Sequence, residues 1–209
     1  MSICLRMLYL ILPMFDLTSL IQGVGYLGLF AIIFAESGIL LGFFLPGDSL
    51  LFTAGFLASQ GYLNIWALIP LLFIAAFLGD SVGYLFGKKA GPRVFSRPKS
   101  FWFNPANVGR TRAFFERYGA KTIVLARFIP VVRTFAPIMA GVGEMKYQTF
   151  VLYNFVGALA WAVGLTLAGY FFGQVIPDAD RYILPIVLLI ILVSLAPPVW
   201  HVFKESRRK

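Results

Sequence analysis

Five ionisable residues lie inside segments of the sequence that are otherwise apolar: Glu36, Asp48, Asp80, Arg127 and Arg133. A charged side chain at the centre of a membrane helix costs about 2.5–3.5 kcal/mol on insertion scales, so charges retained there indicate function by default. Their placement favours this interpretation, because Glu36 and Asp48 flank the pair Pro46-Gly47, whereas the two arginines flank Pro130. The alternative is structural, with carboxylates and arginines that only neutralise one another.

The charges of these residues suggest that the ligand is an anion. Glu36 and Asp48 balance the two arginines, whereas a phosphate monoester brings a charge of about −1.5 to −2 near pH 7. Arginine holds phosphate through a planar fork that stays protonated, which makes Arg127 and Arg133 the candidate phosphate-binding residues. The added negative charge favours protonation of the carboxylates, so we predict that Glu36 and Asp48 couple translocation to proton uptake. Supporting positions are predicted at the two backbone breaks and in a neighbouring span: Pro46, Gly47, Pro130 and Asp80.

Enzymatic chemistry has little support in the sequence. His201 is the only histidine and Cys4 the only cysteine, so neither a histidine-based phosphatase nor a His/Cys metal cluster can be assembled. No Walker-type phosphate loop is present, which argues against direct use of ATP. We therefore expect a protein that is not an enzyme and has no cofactor. A metal site built from Glu36, Asp48 and Asp80 is the remaining alternative.

The composition places these charges in a membrane. Of the 209 residues, 59% are apolar and 13% are charged, and the mean hydropathy is +0.82. Soluble domains usually carry about 45–50% apolar and about 25% charged residues. Spans of about 20 residues leave room for roughly five or six membrane-embedded segments. The predicted fold class is therefore an all-α polytopic membrane protein.

The basic residues are concentrated in two parts of the chain. Nine of the 18 Lys and Arg residues lie within 88–121, and four more lie in the C-terminal tail 204–209. Basic residues beside apolar spans mark cytoplasmic loops, and no soluble nucleic-acid recognition module accompanies them. We expect the loop 88–121 and the C terminus to be cytoplasmic and to face lipid headgroups, with no nucleic acid as a partner.

The apolar pattern divides the chain into two similar halves. Residues 1–22 are either an interfacial helix or a poor first span. Two apolar stretches broken by Pro or Gly, 24–58 and 122–143, are predicted as re-entrant helical hairpins, because Pro and Gly end helices and turn the chain. Full transmembrane spans are predicted at three positions: 62–87, 147–173 and 182–203.

Three short motifs recur in the same order in both halves. Phe44-Leu45-Pro46 recurs as Phe128-Ile129-Pro130 at an offset of 84, and Ala54-Gly55 recurs as Ala140-Gly141 at an offset of 86. Gly83-Tyr84-Leu85-Phe86-Gly87 recurs as Gly169-Tyr170-Phe171-Phe172-Gly173, also at an offset of 86. The repeat unit is thus a hairpin plus a span, at about 24–87 and again at about 122–173. With the basic loop inside, the units are inverted relative to each other, and inverted repeats with broken helices are typical of secondary transporters.

Together these motifs resemble the DedA family of bacterial inner-membrane proteins, which belong with the SNARE-associated, VTT-domain proteins. The resemblance covers about residues 25–175. It is carried by Phe34-Ala35-Glu36, by the run from Gly42 to Ser49, by the run from Gly79 to Tyr84, and by the run from Arg127 to Pro137. It implies a membrane domain at 23–176, preceded by the N-terminal segment 1–22 and followed by a C-terminal helix and basic tail at 177–209.

The resemblance also implies an activity. It implies two re-entrant hairpins that face each other and move undecaprenyl phosphate, the carrier lipid of envelope polymer synthesis, from the outer to the inner leaflet. In the family, the positions that match Glu36, Asp48, Arg127 and Arg133 are the functional ones. We therefore expect a lipid transporter of the bacterial inner membrane, whose partners are an anionic polyprenyl phosphate, protons and membrane lipids.

Other functions and assemblies stay open at this point. The alternatives are a proton-coupled transporter of a small ion or solute, a passive phospholipid scramblase, and a non-transporting scaffold for envelope enzymes. Glycines at small-xxx-small spacing, such as Gly79, Gly83 and Gly87, allow helices to approach closely. Such faces serve contacts within the chain or in a homo-oligomer equally well.

Overall fold

The computed structural model describes residues 17–39, 47–94 and 113–175, and the regular structure in these ranges is helical throughout. The all-α class is therefore confirmed for the described part of the chain. A short helical segment at 113–118 precedes the second half. The principal helices are α1 (Leu17–Gly38), α2 (Gly47–Ser59), α3 (Ile65–Val94), α4 (Lys121–Ala126), α5 (Pro130–Val142) and α6 (Tyr147–Val175).

Some helix boundaries differ from the predicted ones, because the predictions are based on the ends of apolar runs and a helix can continue beyond such a run. The span predicted at 62–87 lies mostly in α3, which continues to Val94 because Lys88 and Lys89 end the apolar run but are good helix formers. The span predicted at 147–173 matches α6 closely. Helix α1 begins at Leu17 and is kinked at Gly25, whose φ of 57° is a left-handed value that favours glycine.

Several predicted features lie outside the described residues. These are the third span at 182–203, the first part of the segment 1–22, the central part of the basic loop 88–121 and the residues 40–46 at the first backbone break. The second backbone break is described: α4 ends at Ala126, a turn follows, and Pro130 occupies the first helical position of α5. Proline suits that position because the amide hydrogen it lacks has no partner within the helix.

The long helices α3 and α6 present apolar side chains on the outside of the protein. Each has the length and composition of a membrane span, with mean hydropathy values of 2.0 for Ile65–Gly91 and 1.8 for Tyr147–Val175. In the most apolar 18-residue stretch of each helix, only 39% is buried. Conversely, Glu36, Asp80 and Arg127 are buried in the interior. Charges inside and apolar side chains outside are what an apolar solvent requires.

The shorter helices on either side of the breaks are too short to cross a bilayer alone. Gly25–Gly38 and Val132–Val142 are apolar helices of this kind, and at 1.5 Å per residue each reaches about 20 Å or less. The hydrocarbon core of a bilayer is about 30 Å thick. If such a helix enters a bilayer, its polar termini need cover from other parts of the protein.

The packing of the helices follows the sequence repeat. Helix α2 packs on the C-terminal half of α6, and α5 packs on α3, so these two helices each lie on the long helix of the other half, whereas α1 packs on α3 of its own half. In the first crossing Gly169 lies against the Phe52 carbonyl, and in the second Gly87 lies against the Ile138 carbonyl. Ile138 follows Phe52 by the repeat offset of 86 residues, whereas the glycines are shifted by one helical turn. The two crossings are thus built alike.

Close approach at these crossings leads to a stability prediction with a control on the same helix. A Cβ at Gly169 would lie 2.0 Å from the Phe52 carbonyl oxygen, whereas a Cβ at Gly164 would have no atom within 4 Å. We expect Gly169→Ala to lower the stability by about 1–3 kcal/mol, because the two backbones must move apart. Gly164→Ala should be neutral or stabilising by up to about 1 kcal/mol. Thermal unfolding of the purified full-length variants in detergent measures both, and equal midpoints would contradict the close crossing.

Candidate functional site

The candidate site lies where the described helix ends beside the two backbone breaks meet the middle of the two long helices. Glu36 comes from the last turn of α1 and Asp48 from the first turn of α2, while Arg133 comes from the first turn of α5. Asp80 lies midway along α3, and Trp161 lies midway along α6. The arrangement gathers charged side chains from helix ends into the interior, where they are enclosed by the long helices.

The first cluster is centred on Arg133, which binds a carboxylate with each arm of its guanidinium. Nη2 donates to Oε1 of Glu36, and Nη1 donates to Oδ1 of Asp48. The Glu36 side chain is fully buried, and Arg133 is 10% exposed. One arginine of the second half therefore joins both helices that flank the break in the first half.

Trp161 completes this cluster from α6. Its indole Nε1 donates a hydrogen bond of 2.7 Å to Oδ1 of Asp48. Its ring centroid lies 4.8 Å from Cζ of Arg133, which is a cation–π distance. Asp48 consequently receives hydrogen bonds from two different helices, and the plane of the Arg133 guanidinium is supported by an aromatic face.

Gly47 leaves the space that the Glu36 carboxylate occupies. A Cβ at this position would lie 1.5 Å from Oε2 of Glu36 and 2.6 Å from Oε1. The carboxylate therefore lies directly against the first residue of α2. The sequence identified Gly47 as a supporting position because of its place in the break, and the geometry gives it a specific role as the residue that admits Glu36.

The second cluster is centred on Arg127, in the turn after α4. Its Nη2 donates to Oδ2 of Asp80 and, at 2.8 Å, to Oδ1 of Asn154. Asn154 in turn donates to the Phe77 carbonyl at 3.1 Å, which orients its amide oxygen towards the arginine. The side chains of Arg127 and Asp80 are only 4% and 7% exposed. This cluster thus ties α3, α4 and α6 together through matched charges and hydrogen bonds.

The structure therefore separates the residues that the sequence grouped into one site. Glu36, Asp48 and Arg133 lie together, whereas Arg127 and Asp80 form a pair of their own. Trp161 lies between the clusters, since Cζ of Arg127 is 5.6 Å from its ring centroid. The assignment of Arg127 to phosphate binding stays a prediction: its Nη2 is engaged by Asp80 and Asn154, whereas its buried Nη1 has no hydrogen-bond partner among the described residues. Pro46 lies outside the described residues.

Asn154 and Trp161 are site residues that the sequence pattern did not identify. Both lie in the apolar span 147–173 and carry no charge, so they cost less there than an ionised residue and were not singled out. Trp161 lies in a π-helical turn, Leu159–Val163. Such turns are frequent at functional sites, but no local sequence feature predicts this one. Among the described residues, no group of three His, Cys, Asp or Glu side chains is arranged to hold a metal ion.

Fold and site together define a polytopic helical membrane protein with an ion-paired interior. Comparison with known proteins gives the family, since the VTT domain model matches residues 45–171. The chain is 46% identical to protein DedA of Escherichia coli over 184 residues, which cover 87% of this chain and 84% of that protein. The chain belongs to the DedA family of VTT-domain membrane proteins, which confirms the resemblance found in the sequence.

Two further relatives are described by name as membrane proteins. The uncharacterized membrane protein ML0287 of Mycobacterium leprae is 43% identical over 180 residues, covering 85% of this chain and 80% of that protein. The inner membrane protein YqjA of Escherichia coli is 35% identical over 180 residues, covering 80% of each chain. No solved structure matches the chain.

The matched pairing in the second cluster predicts how its residues respond to substitution. Asp80→Asn or Arg127→Met alone should lower stability by about 3–5 kcal/mol, because each leaves an uncompensated buried charge. The double variant Asp80→Leu/Arg127→Met should recover most of this loss, since a buried ion pair is often replaceable by apolar residues. Thermal unfolding of the purified protein measures the series, with the exposed Arg117→Met as the control.

A double variant no more stable than the weaker single variant would contradict the pairing. Where the double variant is stable, its transport activity tests whether Arg127 also binds phosphate. Retained activity would make Arg127 an anchoring residue, and lost activity would support the prediction made from the sequence.

Proposed function

We propose that this protein translocates a polyprenyl phosphate carrier lipid, of the undecaprenyl phosphate class, from the outer to the inner leaflet and couples this movement to proton uptake. The membrane is the bacterial inner membrane, with the loop 88–121 and the C terminus on the cytoplasmic side. The proposal joins the charge chemistry of the site to the family's association with this lipid.

The observation that carries the proposal is the environment of Arg133. A permanently charged guanidinium lies in an apolar interior and is held by two carboxylates from helices on either side of a backbone break. Carboxylates titrate and arginine does not, so protonation of Glu36 or Asp48 releases hydrogen-bonding capacity on Arg133 for an incoming anion. Phosphate matches the fork of the guanidinium with two parallel hydrogen bonds.

An apolar cavity beside the segment that carries Arg127 and Arg133 suits a ligand with a hydrocarbon tail. A cavity of about 300 Å³ is lined entirely by side chains that are apolar or nearly so: Phe114, Phe115, Thr122, Ala126, Val132, Phe135, Ala136 and Met139. Two of these residues, Ala126 and Val132, directly precede Arg127 and Arg133 in the sequence. A polyprenyl chain can stay in such a groove or in the bilayer while only the phosphate crosses the polar interior.

The charge pattern supports the orientation. The segment 88–121 holds half of the basic residues and follows a long apolar helix, as cytoplasmic loops do. In this orientation the carboxylates are reached from the outer leaflet, where protons are more abundant in an energised bacterium. Proton entry then accompanies inward movement of the anionic head, which the membrane potential alone opposes.

The test is leaflet exchange of a labelled undecaprenyl phosphate analogue by purified protein in liposomes, with and without an imposed pH gradient. We expect exchange to depend on the gradient. Arg133→Ala should lower it by more than about 30-fold, because loss of a buried charged partner costs about 2–5 kcal/mol. Glu36→Gln should remove its dependence on the gradient. Matched controls are Arg117→Ala and Glu116→Gln, which change exposed residues of the same types.

The other functions correspond to different outcomes of this test. Exchange that is indifferent to the gradient would identify a passive scramblase and overturn proton coupling. No lipid exchange, together with gradient-dependent uptake of a small anion, would identify a transporter of small ions or solutes. Neither activity in a well-folded protein would favour a scaffold.

A further inference from the structure

The Glu36 carboxylate lies at a position that is suited to an anion. It contacts Gly47, the first residue of α2, at a distance that leaves no room for a side chain there. The first amide hydrogens of a helix have no partners within the helix, and together with the helix dipole they attract negative charge. Helix α2 has 13 residues, so it supplies a full N-terminal site.

Arg133 is the second component of this anion position. Its Nη2 donates to Oε1 of Glu36 from the side of α5. The other carboxylate oxygen, Oε2, is fully buried against Gly47, whose backbone amide contacts the carboxylate without making a well-formed hydrogen bond to Oε2. Oε2 therefore lies beside the N-terminus of α2 with its hydrogen-bonding capacity incompletely used. A tetrahedral phosphate has more acceptor oxygens and longer reach than the planar group that now occupies the position.

We infer that the Glu36 carboxylate occupies the position of the substrate's phosphate group between Arg133 and the N-terminus of α2, so that Glu36 acts as an internal competitor of the ligand. This inference rests on the proposed function and adds its mechanism. Binding of a lipid phosphate requires the carboxylate to leave, and protonation of Glu36 weakens its hold on Arg133. Proton uptake and phosphate binding are then two parts of one exchange.

The second carboxylate makes this exchange feasible. Arg133 keeps Asp48 as a partner through Nη1 when Glu36 leaves Nη2, so the buried guanidinium is never left uncompensated. Trp161 holds the same Asp48 oxygen and supports the Arg133 plane. One arm of the guanidinium thus stays fixed while the other changes its partner.

The charged groups around Glu36 come from the helices packed against it. Arg133 of α5 and Asp48 of α2 face it directly. Helix α3 contributes Asp80, which is paired with Arg127 from the end of α4. Helix α6 contributes the uncharged Trp161 and Asn154 to the adjoining clusters. Asp80 acts on Arg133 through space but is itself paired with Arg127, so Glu36 and Asp48 are the carboxylates in direct contact with Arg133.

The test measures binding of radiolabelled farnesyl monophosphate to the purified full-length protein. If Glu36 competes with the ligand, Glu36→Gln and Glu36→Ala should bind roughly tenfold more tightly than the unmodified protein at neutral pH. Arg133→Met should abolish binding, and the exposed Glu116→Gln should bind like the unmodified protein. Equal or weaker binding by both Glu36 variants would overturn the inference, because Glu36 would then assist the ligand rather than exclude it.

A second ligand keeps the test decisive if a Glu36 variant does not fold. Farnesyl sulfate has a head group that stays singly charged from mildly acidic to mildly alkaline pH, so a change in its affinity reports protonation of the protein. Its affinity for the unmodified protein should rise as the pH falls, and a flat profile would overturn the inference.

Binding and transport also separate the inference from the proposed function. Tighter binding by the Glu36 variants without lipid exchange in liposomes would leave the inference standing and overturn the function. Lipid exchange by the unmodified protein without tighter binding by the Glu36 variants would support the function and overturn the inference. No binding of either ligand by any variant would overturn both.

Discussion

The rest of the structure depends on the need to neutralise Arg133 in an apolar interior. A guanidinium cannot lose its charge there, so carboxylates must reach it, and they must come from backbone that also lies at that depth. Glu36 and Asp48 meet this requirement from the end of α1 and the start of α2. The described ends of α1 and α2 therefore lie where the charge of Arg133 has to be neutralised. The N-terminus of α2 therefore lies inside the protein, and it becomes part of the site because Gly47 contacts the Glu36 carboxylate.

Close helix crossings hold these breaks in place. Gly55, Gly87, Gly141 and Gly169 each lie against a backbone carbonyl of a facing helix. Apolar side chains add little to association between helices in lipid, because the lipid is equally apolar, so backbone approach at small residues contributes more. Helices α2 and α5 are each fixed to the long helix of the other half, so the helix ends that carry Asp48 and Arg133 cannot move independently of both halves. The repeat thus gives the site its rigidity as well as its symmetry.

The residues that could be predicted from the sequence are those whose presence in an apolar segment or a helix costs free energy. Glu36, Asp48 and Arg133 are conspicuous because charge is expensive in apolar segments, and the breaks are conspicuous because Pro and Gly end helices. The separation of Arg127 from Arg133 could not be predicted, since it depends on where α3 places Asp80. Asn154 and Trp161 escaped detection because an amide or an indole within an apolar span resembles ordinary packing.

The two arginine clusters differ in a way that structural pairing alone does not explain. Buried ion pairs stabilise proteins little, and apolar replacements of similar volume are often neutral or more stable. Arg127 has one carboxylate and a hydrogen-bonded amide, which suffices to hold three segments together. Arg133 has two carboxylates from different helices, one of them fully buried against a helix N-terminus. Stability would require only one of them. A second carboxylate is useful when the first must leave, because the guanidinium then keeps a partner throughout the exchange.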